Sequence, residues 1–212
     1  MAEILGFTHR YDPPADPTSG GPTLLLLHGT GGDENSLLSL GQALAPHAGM
    51  LSPRGKVSEG GAPRFFRRLA EGVLDQEDLA LRTGELAEFI AAAAAEYGFD
   101  TTRVVAVGFS NGANIAASLL FRNRGVLRGA ALLSPMLPFE PETLPDLKGT
   151  RIFIGAGQLD PLVPVAQVEQ LASLYEAADA EVTLHWEAGG HQITMAEVEA
   201  ARTWLNGDAR SQ

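Results

Sequence analysis

Short apolar runs without polar alternation recur along the chain, spaced so that a helix fits between successive ones. Thr23–Leu27 is the first, and Arg103–Val107, Arg128–Leu133, Arg151–Ile154 and Val182–Trp186 follow. Such runs fit strands covered on both faces, the habit of a parallel sheet joined by crossover helices. Met50 and Leu51 mark a shorter strand, and Ile4–Phe7 carries a weak signal for an edge hairpin. Helical periods fill the gaps. Leu79, Leu86, Ile90, Ala93 and Tyr97 form one apolar stripe, and Val165, Val168, Ala172 and Tyr175 form another behind Pro164, a suitable first-turn proline. Thr194 and Glu197 have the spacing of a capping box, ahead of Val198, Ala201 and Leu205. These aliphatic stripes are read as core and given no chemistry.

Two stretches interrupt the alternation. Residues 52–64, rich in glycine, proline and serine, read as a loop at a strand end. Pro135, Pro138, Pro141 and Pro145 forbid a useful helix across residues 134–149. Neither stretch is long enough for a lid domain, and neither a repeat nor a linker divides the chain. The expectation is a single domain over residues 1–212 with an α/β fold.

Composition narrows the function. The 212 residues are 45% hydrophobic and 19% charged, as in a folded globular chain, and no apolar run reaches membrane-spanning length. The first residues lack the basic and apolar regions of a signal peptide, so a cytoplasmic location is expected. The absence of cysteine removes disulfides, thiolate nucleophiles and cysteine-ligated metals. A formal net charge of −11 repels nucleic acid, so none is expected as a partner. Arg64, Arg67 and Arg68 form the one dense basic cluster.

The chemistry centres on Gly108-Phe109-Ser110-Asn111-Gly112, a G-x-S-x-G motif with a β-branched run before it and the helix formers Ala113–Leu120 after it. In a strand-to-helix turn this motif exposes the serine hydroxyl above a sheet. Glycines two positions to either side avoid collision with the neighbouring strand and helix. The helix that follows also turns its positive end toward the serine.

A serine needs a base, and five histidines are available. His9 lies near the N-terminus, His47 follows Pro46 at a helix end, and His185 falls within a strand. His191, in the loop Gly189-Gly190-His191 between the last strand and last helix, can reach a serine at the strand ends. Asp160, in Gly157–Pro161 behind the strand Arg151–Ile154, is the candidate acid, although Asp-Pro also initiates turns. Asp146 and Asp179 do not follow a strand. The chain order Ser110, Asp160, His191 is that of the α/β-hydrolase fold. Donors for an oxyanion are expected from the backbone N–H groups of Asn111 and of Thr30 in His28-Gly29-Thr30-Gly31-Gly32, with His28 buttressing that loop. The loop lacks the lysine-serine ending of a phosphate-binding loop and the spacing of a dinucleotide fingerprint.

Together the His28–Gly32, Gly108–Gly112, Gly157–Pro161 and Gly189-Gly190-His191-Gln192 segments resemble the phospholipase/carboxylesterase family, from about Pro22 to Leu205. The resemblance implies an α/β-hydrolase fold with a mostly parallel central sheet flanked by helices. It further implies neither metal nor organic cofactor, and hydrolysis of carboxylic esters or thioesters. Ser52-Pro53-Arg54-Gly55 and Arg64-Phe65-Phe66 resemble the bacterial carboxylesterase branch, where this segment walls the active site. Eukaryotic thioesterases of the family commonly carry glutamine after the nucleophile and a different oxyanion loop. Asn111 and Thr30 therefore point away from protein depalmitoylation and toward small-molecule esters. Phe65, Phe66, Met136, Leu137 and Phe139 are candidate wall residues, and without a lid the site is expected to be shallow and to favour short acyl chains. Thioesterase or lysophospholipase activity on the same residues is one alternative, and a non-catalytic binding module on the same fold is another. The resemblance leaves room for a homodimer.

Overall fold

In the computed structural model, which describes residues 2–207 apart from 17 and 19, the chain begins with an antiparallel pair, β1 (Ala2–Ile4) and β2 (Phe7–Asp12). Both turn residues have positive φ, 49° at Leu5 and 76° at Gly6. Only the second is suited to it, which is why the hairpin signal in the sequence is weak. There follow β3 (Thr23–Leu27), α1 (Leu38–Leu44), β4 (Gly49–Pro53), β5 (Val57–Glu59), β6 (Ala62–Arg64), β7 (Arg68–Ala70) and β8 (Val73–Leu74). The second half comprises α2 (Gln76–Tyr97), β9 (Val104–Phe109), α3 (Asn111–Arg122), β10 (Gly129–Leu133), β11 (Arg151–Gly157), α4 (Val165–Ala177), β12 (Glu181–Glu187) and α5 (Met195–Asn206).

Eight strands form one sheet in the order β1-β2-β4-β3-β9-β10-β11-β12. From β4 through β12 the neighbours are parallel, while β2 is antiparallel to both β1 and β4. All five residues of β3 are buried, because helices cover both faces. Leu25, Leu27 and Leu51 face the core under α2, α3 and α4, and Leu24, Leu26 and Met50 face the core under α1 and α5. Among the described residues no separate lid domain stands over the strand ends.

The helices start and stop where local chemistry directs. The Asp75 carboxylate accepts the N–H of Asp78 to open α2, and Gly98, at φ 75°, closes it in the left-handed conformation. Within α2 the stripe Leu79, Leu86, Ile90 and Ala93 is buried. Tyr97 stacks on Tyr11 with centroids 4.3 Å apart and meets His9 Nε2 through its hydroxyl at 2.7 Å. His9 is thereby buried on β2, three strands away from β9. In α4 the buried face is Val168, Leu171, Ala172 and Tyr175, whereas Val165, expected in that stripe, lies in the exposed first turn.

Two hairpins replace loop in the region after β4. Gly60 and Gly61 both have positive φ and close β5 onto β6, so a glycine pair that reads as a loop signal is in fact a tight turn. β7 and β8 form the second hairpin. Residues 134–149 contain neither helix nor strand, as the prolines require.

The cap of α5 places a carboxylate in the interior. Thr194 Oγ1 accepts the N–H of Glu197 at 3.0 Å, and the Thr194 N–H bonds to the Glu197 carboxylate in return. Glu197 is 1% exposed, and its Oε2 has no partner. Burial, reinforced by Glu187, raises its pKa from 4.5 to about 7 against the opposing effects of the Thr194 N–H and His185. Below about pH 4.5 the group is protonated in folded and unfolded chains alike. Between there and about pH 7 only the folded chain keeps the proton, so stability falls by about 3 kcal/mol as pH rises across that window. Glu197→Gln is expected to flatten this slope and to add about 2 kcal/mol at pH 8, measured by urea unfolding at pH 5 and 8.

Candidate active site

A single residue separates the end of β9 from the start of α3. That residue, Ser110, has φ 52° and ψ −114°, a conformation costing an L-residue roughly 1–3 kcal/mol. It is held by bonds from its N–H to Leu133 O and from Asn114 N–H to its own carbonyl, both 2.9 Å. A Cβ at Gly112 would run into the backbone carbonyls of Leu27 and His28, and one at Gly108 would lie 2.6 Å from Gly112 O. Strand, turn and helix therefore approach so closely that neither flanking position admits a side chain.

The Ser110 hydroxyl donates to His191 Nε2 at 2.8 Å, and His191 Nδ1 donates to Asp160 Oδ2 at 2.6 Å. Asp160 follows the C-terminal end of β11, and its side chain is 1% exposed. Its other oxygen accepts N–H bonds from Leu162 at 2.8 Å and Val163 at 3.2 Å. The turn-forming and imidazole-orienting uses of this aspartate thus coexist, one per oxygen. His191 arrives from the loop after β12. That loop is laced to the loop after β11 by Gln158 N–H to Glu187 O and Leu159 N–H to Gly189 O. Gly157 lacks a side chain where the Gly189 and Gly190 carbonyls crowd it. The Phe109 ring lies 5.3 Å from the imidazole, centroid to centroid, and limits its swing.

Thr30, Asn111, Ser110 and His191 line a cavity of about 240 Å³, together with Phe109, Asn114, Ser134, Met136, Leu74, Leu162 and Val163. Arg64, Arg68, Glu71 and Gly72 complete its rim. Met136 is on this wall as expected. Phe65 and Phe66 are not. Both are buried in the core, Phe65 with its ring 4.7 Å from that of His28. Leu137 and Phe139 pack partly buried against the core on the α2, α3 and α4 side, outside the cavity.

The segment after β4 instead braces the loop that carries Thr30 and the start of α3 at Asn111. His28 Nδ1 donates to Gly29 O at 2.7 Å, and its Nε2 accepts the N–H of Gly55 at 3.0 Å, so the ring is bound as a neutral tautomer. Burial agrees with this, holding its pKa below the usual histidine value. Gly31 N–H bonds to Pro63 O at 2.9 Å, Arg64 Nη1 to Thr30 Oγ1 at 2.8 Å, and Phe65 N–H to Asn111 Oδ1 at 2.7 Å. A bidentate ion pair, Arg54 with the fully buried Glu34 carboxylate at 2.6 and 2.8 Å, ties the same stretch to the loop after β3. Among the described residues no group of three or more histidine, aspartate or glutamate side chains could hold a metal ion.

The sequence matches the profile of the Phospholipase/Carboxylesterase family over residues 14–207, nearly all of its length. The chain belongs to that family. It is 52% identical to the Bacillus subtilis protein MhqD, named as a hydrolase, over 181 residues that span 85% of this chain and 90% of that one. The solved carboxylesterase of Bacillus cereus superposes with a TM-score of 0.92 at 51% identity, covering 95% of this chain and 94% of its own. A carboxylesterase from Mesorhizobium loti superposes with a TM-score of 0.81 at 33% identity, covering 88% of each chain. Membership accords with the α/β fold, whose mostly parallel sheet is flanked by helices. No helix among the described residues is long and apolar enough to cross a membrane.

Several cavity residues escaped the sequence reading. Asn114 faces the pocket from the first turn of α3 while its Oδ1 accepts the Met136 N–H at 2.7 Å. Ser134, with φ 50°, follows β10 beside Ser110 and donates its N–H to Gly155 O at 2.7 Å. The one available signal was position, since both follow strand ends at the rim where the motif residues gather.

Proposed function

We propose that the protein is a serine carboxylesterase acting on small-molecule esters with short acyl chains through an acyl-enzyme. The observation that carries this reading is the unbroken hydrogen-bonded chain from Ser110 through His191 to Asp160 at the wall of a cavity. His191 Nε2 takes the hydroxyl proton as Ser110 Oγ attacks the ester carbonyl, and Asp160 stabilises the imidazolium that forms. The N–H groups of Thr30 and Asn111 receive the oxyanion. Asn111 suits this role because the first N–H groups of a helix lack intrahelical partners, and Thr30 because its side chain is fixed by Arg64. The imidazolium returns its proton to the leaving alcohol. Water, deprotonated by the same His191, then attacks the acyl carbonyl, releases the acid and restores Ser110.

The carboxylesterase names of the Bacillus cereus and Mesorhizobium loti relatives support the substrate class. The cavity volume favours short acyl chains. A cavity of about 240 Å³ falls below the roughly 300–1,000 Å³ usual for drug-sized ligands, and Leu74, Met136, Leu162 and Val163 give it a short apolar side. An aryl ester series from acetyl to decanoyl is expected to peak by butyryl and to fall at least about tenfold by octanoyl. A peak at octanoyl or beyond would refute the short-chain assignment. Matched aryl thioesters run alongside test the linkage, and a higher kcat/KM on the thioesters would make this a thioesterase.

A further inference from the structure

Arg64 and Arg68 belong to the one dense basic cluster of a chain with net charge −11, and both line the cavity that holds Ser110. Their placement is unusual in two respects. The Arg64 side chain is only 5% exposed, so its guanidinium has lost most of its water. Burial lowers its pKa from the ordinary arginine value, yet it remains a cation at any physiological pH. The two arginines also share one carboxylate. Glu59 Oε2 lies 3.3 Å from Arg64 Nε, and Glu59 Oε1 lies 2.9 Å from Arg68 Nε. Glu59 is 42% exposed and lies outside the cavity wall, so it contacts the Nε edge of both cations from behind. Two positive charges against one half-solvated negative charge leave an excess on the cavity side.

The remaining charges on that wall do not cancel it locally. Glu71, on the β7–β8 turn, is the one carboxylate among the wall residues, and it is exposed, where solvent and salt screen it. The other wall residues, His191 apart, carry no ionisable side chain. Arg67, the third member of the cluster, is absent from the wall and is paired with Asp75 and Asp78. The net negative field of the chain discourages an anionic substrate, whereas at this rim the local charge favours one.

We infer that the preferred substrates are esters carrying a carboxylate, received at the cavity rim by Arg64 and Arg68 while the ester carbonyl lies at Ser110. This inference rests on the serine-esterase reading and specifies its substrate class. Planar guanidinium groups match the geometry of a carboxylate, and a charge-assisted bond in a partly dehydrated wall is worth more than one in water. Arg64 has a second duty, since its Nη1 holds Thr30. Arg68 and Glu71 have no such bond to the oxyanion loop and are the residues to alter.

Two ester pairs test the inference, read as the ratio of kcat/KM for the charged ester over its neutral partner. In one, the carboxylate is on the acyl side, as an aryl glutarate monoester against the corresponding glutaramate. In the other it is on the alcohol side, as 3-acetoxybenzoate against 3-acetoxybenzamide. The parent chain is expected to favour the anion about tenfold in one pair, which also identifies the side of the ester that meets the rim. Arg68→Gln should lower that ratio at least about threefold, Arg68→Glu should take it below one, and Glu71→Gln should raise it. The preference should weaken between 50 and 500 mM salt. Ratios near one in both pairs, or ratios unmoved by Arg68→Gln and Arg68→Glu, would overturn the inference while neutral-ester turnover kept the esterase reading intact. Absence of turnover on all four esters, with Ser110 inert to a fluorophosphonate, would instead remove the esterase reading and this inference with it.

Discussion

Ser110→Ala is expected to lower kcat/KM for a short aryl ester by about 10⁵-fold or more while leaving the unfolding transition of the protein in place. The size of the loss follows from the site. In the proposed reaction Ser110 Oγ is the atom that bonds to the acyl group, and nothing else among the cavity residues stands in hydrogen-bond contact with His191 Nε2. What survives the substitution is binding and the donors at Thr30 and Asn111, which alone contribute only a small part of such catalysis. The fold should not respond, because the strained turn is fixed by the backbone bonds Ser110 N–H to Leu133 O and Asn114 N–H to Ser110 O, and by Gly108 and Gly112. Circular dichroism and a thermal melt on the variant separate loss of the nucleophile from loss of structure. A reduction below about 100-fold would mean that another group performs the attack.

Asp160→Asn is expected to lower kcat by about 10⁴-fold with little change in KM. Here the surroundings of Asp160 make the direction specific. Its Oδ1 accepts the N–H groups of Leu162 and Val163, so an asparagine in this place must put its carbonyl oxygen there. The amide NH₂ is then turned toward His191 Nδ1, which has to become an acceptor, and the ring proton moves to Nε2. An imidazole protonated at Nε2 cannot take the Ser110 proton. The variant should fold normally, because the turn bonds persist. It should also lose fluorophosphonate reactivity in step with turnover, since both depend on the same tautomer. A loss in KM with kcat preserved would contradict the orienting role, because Asp160 is absent from the cavity wall.

The parts of this molecule legible in the sequence are those where one physical demand acts alone. The continuous run Thr23–Leu27 reads as a strand covered on both sides, and all five of its residues are buried in β3. Gly108 and Gly112 were legible because contact with backbone leaves no room for a Cβ, whatever the rest of the chain does. Ser110, Asp160 and His191 were legible through their order and their positions after strands, and the folded chain brings the three side chains together.

Beyond the motif residues and Met136 the cavity wall was not legible, and Arg64-Phe65-Phe66 shows why. Hydrophobicity nominates the two rings to line a pocket for an apolar acyl group. The core claims both of them, while Arg64, the last residue of β6, lines the cavity, its Nε held by Phe66 O and Glu59 and its Nη1 by Thr30 Oγ1. No local pattern encodes a side chain whose direction is decided by partners some 34 residues away, as with Thr30. The same holds for Ser134, whose positive φ follows from meeting Gly155 across the sheet. Val165 was misjudged for a simpler reason. Helical period places it on the stripe, but the first turn of α4 has not yet reached the sheet.

On the proposed mechanism Ser110 is an activated alcohol because an imidazole oriented by Asp160 accepts its proton. Reaction of the parent chain with a fluorophosphonate, followed by intact mass and peptide mapping, tests this most directly. The expected result is one adduct per chain, on Ser110, forming at least about 10³-fold faster than in His191→Ala. An unmodified chain, an adduct on another serine, or equal rates in the two proteins would contradict it.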